Sequence, residues 1–183
     1  MKIRLDYWGS LLLMVVLLSP AMGQEASEIT FPPGREGVEQ MILYLLDANS
    51  KERKEYTKRL LPTLEDCEAI FDGKMGKKVY RYQKRLKRRA NIVIRPLLKD
   101  QTEYLLFQAS SEDLSDYDKD EARNFPGGYH ELAEYFRPGI MFYRFKFVQP
   151  NRKLGSAYDV LVHVNGNWRL IHRPWVVLIN GGS

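Results

Sequence analysis

The chain has 183 residues, of which 44% are hydrophobic and 12% are aromatic, and its formal net charge is +5. This composition is typical of a packed globular protein and argues against an intrinsically disordered chain. A single cysteine excludes an internal disulfide, and three histidines without paired spacing do not form a zinc motif. A phosphate-binding glycine loop and a Gly-x-Ser-x-Gly nucleophile motif are absent, so the sequence predicts no cofactor and no metal.

Residues 1–23 have the pattern of a signal peptide. Lys2 and Arg4 precede the apolar run from Leu11 to Leu18, and Ala21-Met22-Gly23 places small residues before Gln24. The apolar run is too short to span a bilayer, so we predict cleavage near Gly23-Gln24, export to the periplasm or the extracellular space, and no transmembrane span in the mature chain. Retention of the segment as an anchor stays an open alternative. The predicted organisation is a signal peptide (1–23), a leader or linker (24–35), a single domain (36–179) and a C-terminal tail (180–183).

Four helices are predicted at the start of the domain. The first covers Glu36–Ala48, the second runs from a cap at Ser50 to Leu61, the third runs from Thr63 to Phe71, and the fourth covers about Gly76–Ala90. The third begins with Thr63-x-x-Asp66, which resembles a capping box. Cys67 lies on the apolar stripe of that helix, which indicates a buried thiol rather than a nucleophile.

The fourth helix is strongly basic, because residues 74–90 contain nine lysines and arginines and no acid. Such a surface attracts polyanions, and export favours an anionic polysaccharide, a lipid headgroup or another envelope component over nucleic acid. The candidate ligand-binding residues of this helix are Lys84, Arg85, Arg88 and Arg89. The simpler interpretation is a solvated helix face, paired in part with the acids of residues 112–121.

From residue 92 onward the hydrophobic period changes from 3.6 to 2, which predicts strands. A polar insertion (110–128) and a short helix (Tyr129–Phe136) interrupt them, and Asn165-Gly166 is a type I′ hairpin signal. The predicted strands are Ile92–Arg95, Thr102–Ala109, Ile140–Gln149, Tyr158–Val164 and Asn167–Arg173, the last resuming at Trp175–Ile179.

Helices followed by long antiparallel strands predict an α+β fold, with several N-terminal helices packed on a curved antiparallel sheet that ends in the Asn165-Gly166 hairpin. By this order of elements over residues 36–178, and by the closing hairpin Tyr158–Arg169, the chain resembles the nuclear transport factor 2-like superfamily of cone-shaped folds. The resemblance implies a concave sheet that can hold a small molecule and a convex side often used for pairing. It also implies functions that range from isomerases to binding modules.

The closing hairpin predicts which side chains face each other. With Asn165-Gly166 as the loop, the facing pairs on one face of the sheet are His163 with Trp168, Leu161 with Leu170, and Asp159 with His172. We hypothesise that Asp159 and His172 line a pocket in which the carboxylate orients the imidazole as a general base. Trp168 would form one wall, with His163 as a further ligand-binding residue. The alternative is an ordinary polar contact at a sheet end.

The sequence therefore predicts an exported, non-catalytic domain that binds a ligand or pairs with itself. Its partner would be a small molecule or an anionic polymer, or a second copy forming a homodimer, because a sheet with two partly apolar faces needs cover on both. No nucleic acid is expected. Two alternatives remain: an isomerase- or hydrolase-type enzyme that uses Asp159 and His172 in the cone cavity, and adhesion to anionic surfaces through residues 74–90.

Overall fold

The computed structural model describes residues 29–89 and 92–179. Ile29 and Thr30 are exposed and belong to an N-terminal unit, whereas the chain from Phe31 onward forms a second unit. Within its described residues, the second unit contains eight helices and a four-stranded antiparallel sheet, which confirms the predicted α+β class. The predicted signal peptide, its cleavage site and the tail 180–183 lie outside the described residues.

Four helices precede the sheet: α1 (Gly34–Asp47), α2 (Ser50–Arg59), α3 (Leu64–Ile70) and α4 (Gly73–Arg89). Capping boxes set the starts of α2 and α3, because Asn49 and Thr63 each accept a hydrogen bond from the backbone of the third helical residue. The predicted start at Thr63 is confirmed. The predicted cap at Ser50 was wrong by one residue, since the Asn49 side chain already satisfies the first free N–H groups of α2.

The sheet has the order β1-β2-β3-β4, with all neighbouring strands antiparallel. Its strands are β1 (Glu103–Ser110), β2 (Met141–Val148), β3 (Gly155–Val164) and β4 (Asn167–Leu170). The insertion between β1 and β2 is more ordered than a loop, because it forms three short helices and a 3-10 turn: α5 (Ser111–Ser115), α6 (Asp120–Arg123), α7 (Gly128–Leu132) and Ala133–Tyr135. A last short helix, α8 (Val176–Ile179), follows β4.

Two predicted strands are not formed. In residues 92–95 the Ile94 N–H donates to Thr57 Oγ1 at 3.0 Å and the Arg95 N–H donates to the Tyr158 hydroxyl at 2.9 Å. Since side chains satisfy these donors, the segment stays extended without joining the sheet. The segment after Pro174 closes a helical turn instead of a strand, with the Val177 N–H bonded to the Pro174 carbonyl at 3.2 Å.

The closing hairpin forms as predicted. Asn165 and Gly166 have φ values of 51° and 72°, so both central residues adopt the left-handed conformation of a type I′ turn. The facing pairs next to the turn are Val164 with Asn167 and His163 with Trp168. The asparagine–glycine signal therefore fixed both the turn type and the register of β3 with β4.

The two faces of the sheet carry separate cores. On one face Tyr143, Phe145, Phe147 and the buried side chains of α1 and α2 pack together. On the other face Phe142, Val160 and Val162 pack with α3, α4 and α7. Helices of the same chain therefore cover both faces, and burial of the sheet does not require a second copy. Self-pairing stays a prediction, but among the described residues neither face of the sheet is left uncovered for a second copy.

Candidate functional site

Helix α4 combines a buried stripe with a cationic one. Met75 and Val79 are 3% and 0% exposed and pack with side chains of α3. The Met75 N–H donates to Asp72 Oδ1 at 2.9 Å, which caps the helix. The exposed stripe is built from basic side chains: Lys74, Lys77, Lys78, Arg81, Lys84, Arg85, Lys87 and Arg88. α4 therefore presents a fixed array of positive charge to solvent.

A cleft of about 580 Å³ lies between this cationic stripe and the corner where α2 leads into α3. We call it the basic cleft, and its lining residues are Lys58, Leu61, Pro62, Thr63, Tyr80, Gln83, Lys84, Lys87 and Arg88. Four of these side chains are cationic and none is acidic. The cleft therefore concentrates positive potential on a surface that Leu61, Pro62 and Tyr80 make partly apolar.

Both walls of the basic cleft are anchored to the C-terminal part of the chain. At the α2–α3 corner, the Leu170 N–H donates to the Leu60 carbonyl at 2.7 Å and Arg169 Nη1 donates to the Arg59 carbonyl at 2.8 Å. On the α4 side, Gln83 Nε2 donates to the His172 carbonyl at 2.8 Å, and its Oε1 accepts from the His172 N–H at 3.2 Å. The separation of the two walls is thus set by the fold.

Little negative charge neutralises the basic cleft. Lys58 pairs with Glu55 at 2.8 Å, but both side chains are more than half exposed, so the pair is weak. Lys77, outside the cleft, lies 3.8 Å from Glu68. Among the ion pairs of residues 29–89 and 92–179, none involves Lys84, Lys87 or Arg88. These three charges remain available to a ligand.

The acidic segment 112–121 does not pair with α4 in the described ion pairs. Asp113 accepts hydrogen bonds from the N–H and hydroxyl of Ser110, the N-cap residue of α5, and also pairs with Lys119 at 2.6 Å. Glu112 accepts from the Gly139 N–H at 2.8 Å. The hydrogen bond from Lys119 is the main reason that the pKa of Asp113 falls to about 2. The acids of this segment are therefore engaged locally, and the predicted pairing with the basic helix is not observed.

Of the predicted ligand-binding residues of α4, Lys84 and Arg88 line the basic cleft. Arg85 is exposed on the same helix and is not a lining residue. The side chain of Arg89 lies outside the described part of the chain. The other wall, from Lys58 to Thr63, was not predicted, because no local pattern in the sequence indicates that the α2–α3 corner faces α4.

The pairing of β3 with β4 ends at Leu161 with Leu170, so it does not include the predicted facing pair of Asp159 with His172. Phe145 pairs with Tyr158 and Tyr143 pairs with Leu161, so β3 has one residue too many opposite Arg144 and forms a bulge. Val160 takes up the irregularity with a φ of 57°. The bulge brings Asp159 to Arg144, whose Nε lies 2.6 Å from Asp159 Oδ1.

His172 lies beyond the end of β4, where its backbone bonds to Gln83 instead of continuing the ladder. Burial lowers the pKa of His172 below its ordinary value of 6.5, and Arg173 lowers it further, whereas Asp159 acts in the opposite direction. In the described contacts Asp159 pairs with Arg144 and not with His172. A catalytic role for the two residues stays a prediction without a hydrogen-bonded pair to support it.

Trp168 and His163 lie on the opposite face of the sheet from the Asp159–Arg144 pair. Trp168 is 5% exposed, and its Nε1 donates to the carbonyls of Phe31 and Pro32 at 3.2 and 3.1 Å. The His163 ring packs against it with centroids 5.1 Å apart, and burial lowers the pKa of His163. Trp168 is therefore a core residue, and in the described part of the chain it packs on the other face of the sheet from Asp159.

A buried polar cluster lies next to the bulge. The Tyr129 side chain is 1% exposed, and its hydroxyl makes no hydrogen bond of normal geometry within the described residues. Burial raises the pKa of Tyr129 well above 10 and the charge of Asp159 raises it further, whereas Arg144 and the nearby Val160 backbone act in the opposite direction. Arg144 Nε also lacks a properly directed hydrogen bond, so its contact with Asp159 is an ion pair only. One clue in the sequence was missed: Arg144 lies on an otherwise largely apolar face of β2.

We expect Tyr129→Phe to leave the free energy of unfolding unchanged or to raise it by up to about 1 kcal/mol, because it removes a buried hydroxyl that approaches the Val160 backbone but makes no hydrogen bond of normal geometry. Tyr158→Phe is the matched control, since the Tyr158 hydroxyl donates to the Arg95 carbonyl at 2.8 Å and accepts from its N–H. That variant should lose about 1–2 kcal/mol. Urea denaturation measures both, and a clear loss in Tyr129→Phe would mean that its hydroxyl is bonded.

A second cleft, of about 780 Å³, lies between the end of α1 and residues 95–102. Leu43, Leu97 and Leu98 line it and are 54%, 65% and 55% exposed. Its charged residues are of both signs, and Arg53 is already bonded to the carbonyls of Leu45 and Leu46 at 2.8 Å. Because Asp47 also lines this cleft, it favours an anionic ligand less strongly than the basic cleft does.

Other kinds of site find little support in the described residues. No group of three or more His, Cys, Asp or Glu side chains is placed to hold a metal ion there. Cys67 is fully buried, as predicted, and burial raises the pKa of its thiol to about 12. None of the described helices has the length and apolar character needed to span a bilayer.

Comparison of the chain with family models, curated proteins and solved structures finds no match.

Proposed function

We propose that this chain is a non-catalytic binding domain that holds an anionic ligand in the basic cleft. The observation that carries the proposal is the lining itself, in which four cationic side chains converge without a carboxylate. Three of them, Lys84, Lys87 and Arg88, have no partner among the described ion pairs. A negatively charged ligand could pair with these three side chains without breaking any described ion pair.

The size of the cleft supports a discrete ligand as well as a polymer. Small-molecule sites typically enclose about 300–1,000 Å³, and the basic cleft, at about 580 Å³, lies within this range. The remaining cations of α4 extend the positive surface beyond the cleft, and a longer polyanion would also contact them. If the chain is exported, as its N-terminal sequence predicts, candidate ligands are lipid headgroups, anionic polysaccharides and other envelope components.

The test compares two charge reversals with the same spacing on the same helix. Lys84→Glu/Arg88→Glu changes two residues of the basic cleft, and Lys74→Glu/Lys78→Glu changes two exposed residues outside it. For a fluorescent heparin tetrasaccharide, we expect the first variant to lose at least about tenfold in affinity and the second less than about threefold. Fluorescence anisotropy at two salt concentrations measures both.

Circular dichroism and thermal unfolding establish that both variants fold, which exposed substitutions on a helix surface should permit. Equal losses in the two variants would show general attraction to the basic helix and not binding in the cleft. Absence of binding by the unmodified chain to any anion would refute the proposal. Binding that does not weaken with salt would also contradict it, since the attraction is electrostatic.

A further inference from the structure

We propose that the ligand of the basic cleft is an amphiphilic anion, with one phosphate- or sulfate-like head and an apolar tail or ring. This inference rests on the proposed function and specifies the ligand class. It starts from the two chemistries of the lining, with cations at Lys58, Lys84, Lys87 and Arg88 and apolar surface at Leu61, Pro62 and Tyr80. A ligand that uses both must carry charge and apolar surface together.

The neutral polar side chains of the lining distinguish this class from carbohydrates. Both polar atoms of Gln83 are engaged with the His172 backbone. The Thr63 hydroxyl donates to Asp66 Oδ2 at 2.8 Å and accepts from the Asp66 N–H at 3.1 Å. Apart from the Tyr80 hydroxyl, the cleft therefore offers few neutral partners for sugar hydroxyl groups, which would lose hydrogen bonds to water on entry. An alkyl or aromatic tail has no such requirement.

The cations are placed to receive a single head. Lys87 and Arg88 lie three and four residues after Lys84, so the three side chains lie on one face of α4. Tyr80 is one turn before Lys84 on the same face and is half-buried against the core. Its ring thus adds apolar surface beside the charged group, where a tail can leave water.

The experiment measures the affinities of inorganic phosphate, methyl phosphate, hexyl phosphate and the heparin tetrasaccharide for the full chain by calorimetry. Each buried methylene is worth about fourfold in affinity, so hexyl phosphate should bind at least about tenfold more tightly than methyl phosphate. Leu61→Ser should remove most of this advantage, so that hexyl phosphate and methyl phosphate bind with similar affinity. Lys84→Glu/Arg88→Glu should weaken binding of both esters.

The two proposals fail in different ways. If the anions bind and the charge reversal weakens them, but affinity is independent of tail length, the basic cleft binds anions and the amphiphile proposal is wrong. A tetrasaccharide that binds more tightly than hexyl phosphate would likewise overturn it in favour of carbohydrate. If no anion binds, both proposals fail. Because the tail series uses the unmodified chain, the result does not depend on whether Leu61→Ser folds.

A further arm separates a free amphiphile from a lipid in a bilayer, since both carry the same chemistry. The chain is mixed with vesicles of phosphatidylcholine, with and without about one fifth phosphatidic acid, and bound protein is collected by sedimentation. Sedimentation only with the acidic vesicles, abolished by Lys84→Glu/Arg88→Glu, would identify a lipid headgroup as the ligand source. Tight binding of hexyl phosphate without sedimentation would identify a free amphiphile. Both results support an amphiphilic anion.

Discussion

Replacing Asp66 by alanine is expected to lower the free energy of unfolding by about 3–5 kcal/mol, because the change leaves the Arg169 side chain, which is only 15% exposed, without its counter-ion. Asp66 is 2% exposed and joins α3 to the closing hairpin. Its carboxylate accepts hydrogen bonds from the Thr63 N–H at 2.9 Å, from Asn165 Nδ2 at 3.0 Å and from Arg169 Nε at 2.5 Å. The variant loses the helix cap and the link to the hairpin at once.

Glu65→Ala is the matched control, since Glu65 is the exposed neighbour of Asp66 in the same turn of α3. It should change stability by no more than about 0.5 kcal/mol. Urea denaturation at pH 7 provides both values. A loss in Asp66→Ala no larger than that in Glu65→Ala would contradict the buried network that joins α3 to β4.

The same network predicts a dependence on pH. Burial raises the pKa of Asp66, but the hydrogen bonds from Thr63, Asn165 and Arg169 together outweigh burial and hold the pKa below its ordinary value of 3.8. A carboxyl group with a lowered pKa in the folded state stabilises the fold fully above its unfolded value, and this stabilisation is lost as the pH falls through the folded value. The difference in stability between the unmodified chain and Asp66→Ala should therefore shrink in strong acid.

The second large effect is expected at Gly76, where alanine should lower the free energy of unfolding by about 1–3 kcal/mol. Alanine favours a helix over glycine, so the intrinsic preference alone would give the opposite sign. A Cβ on Gly76 would lie 2.8 Å from the Cys67 carbonyl oxygen and 2.9 Å from Glu68 Cα. Because these atoms belong to the backbone of α3, the two helices would have to move apart.

Gly73→Ala makes the same change three residues earlier in α4, where a Cβ would meet no atom within 4 Å. This control should be neutral or more stable by up to about 1 kcal/mol. The comparison by thermal or urea unfolding thus tests contact between the helices separately from helix propensity. Equal stability of the two variants would show that α3 and α4 are less closely packed than the structure indicates.

The parts of the fold that could be predicted are those set by local chemistry. Asn165-Gly166 accepts positive φ at both positions, and Thr63 with Asp66 can form a capping box without help from the rest of the chain. The alternation along Met141–Val148 predicted β2 for the same reason, because its two faces differ in sequence. Such features depend on residues only a few positions apart.

The parts that could not be predicted depend on contacts with residues far away in the sequence. Ile94 is apolar and follows the β-branched residues Ile92 and Val93, yet its N–H donates to the hydroxyl of Thr57, and no nearby residue reveals this contact. The predicted position of Asp159 came from extending the hairpin register past the bulge opposite Arg144. The extra residue of the bulge places the Asp159 side chain on the other face of the sheet. For the basic cleft, the charge of α4 was evident, but its apposition to the wall around Leu61 and Pro62 is a tertiary contact.

The bonds that hold the helical half to the hairpin also constrain when the protein can fold during synthesis. Asp66 contacts residues 99 and 103 positions later in the chain, and Gln83 contacts a residue 89 positions later. During synthesis, α3 and α4 therefore lack these contacts until the final hairpin has emerged from the ribosome. We expect nascent chains that stop before Asn165 to expose the apolar stripe of α4 and to depend on chaperones until translation is finished.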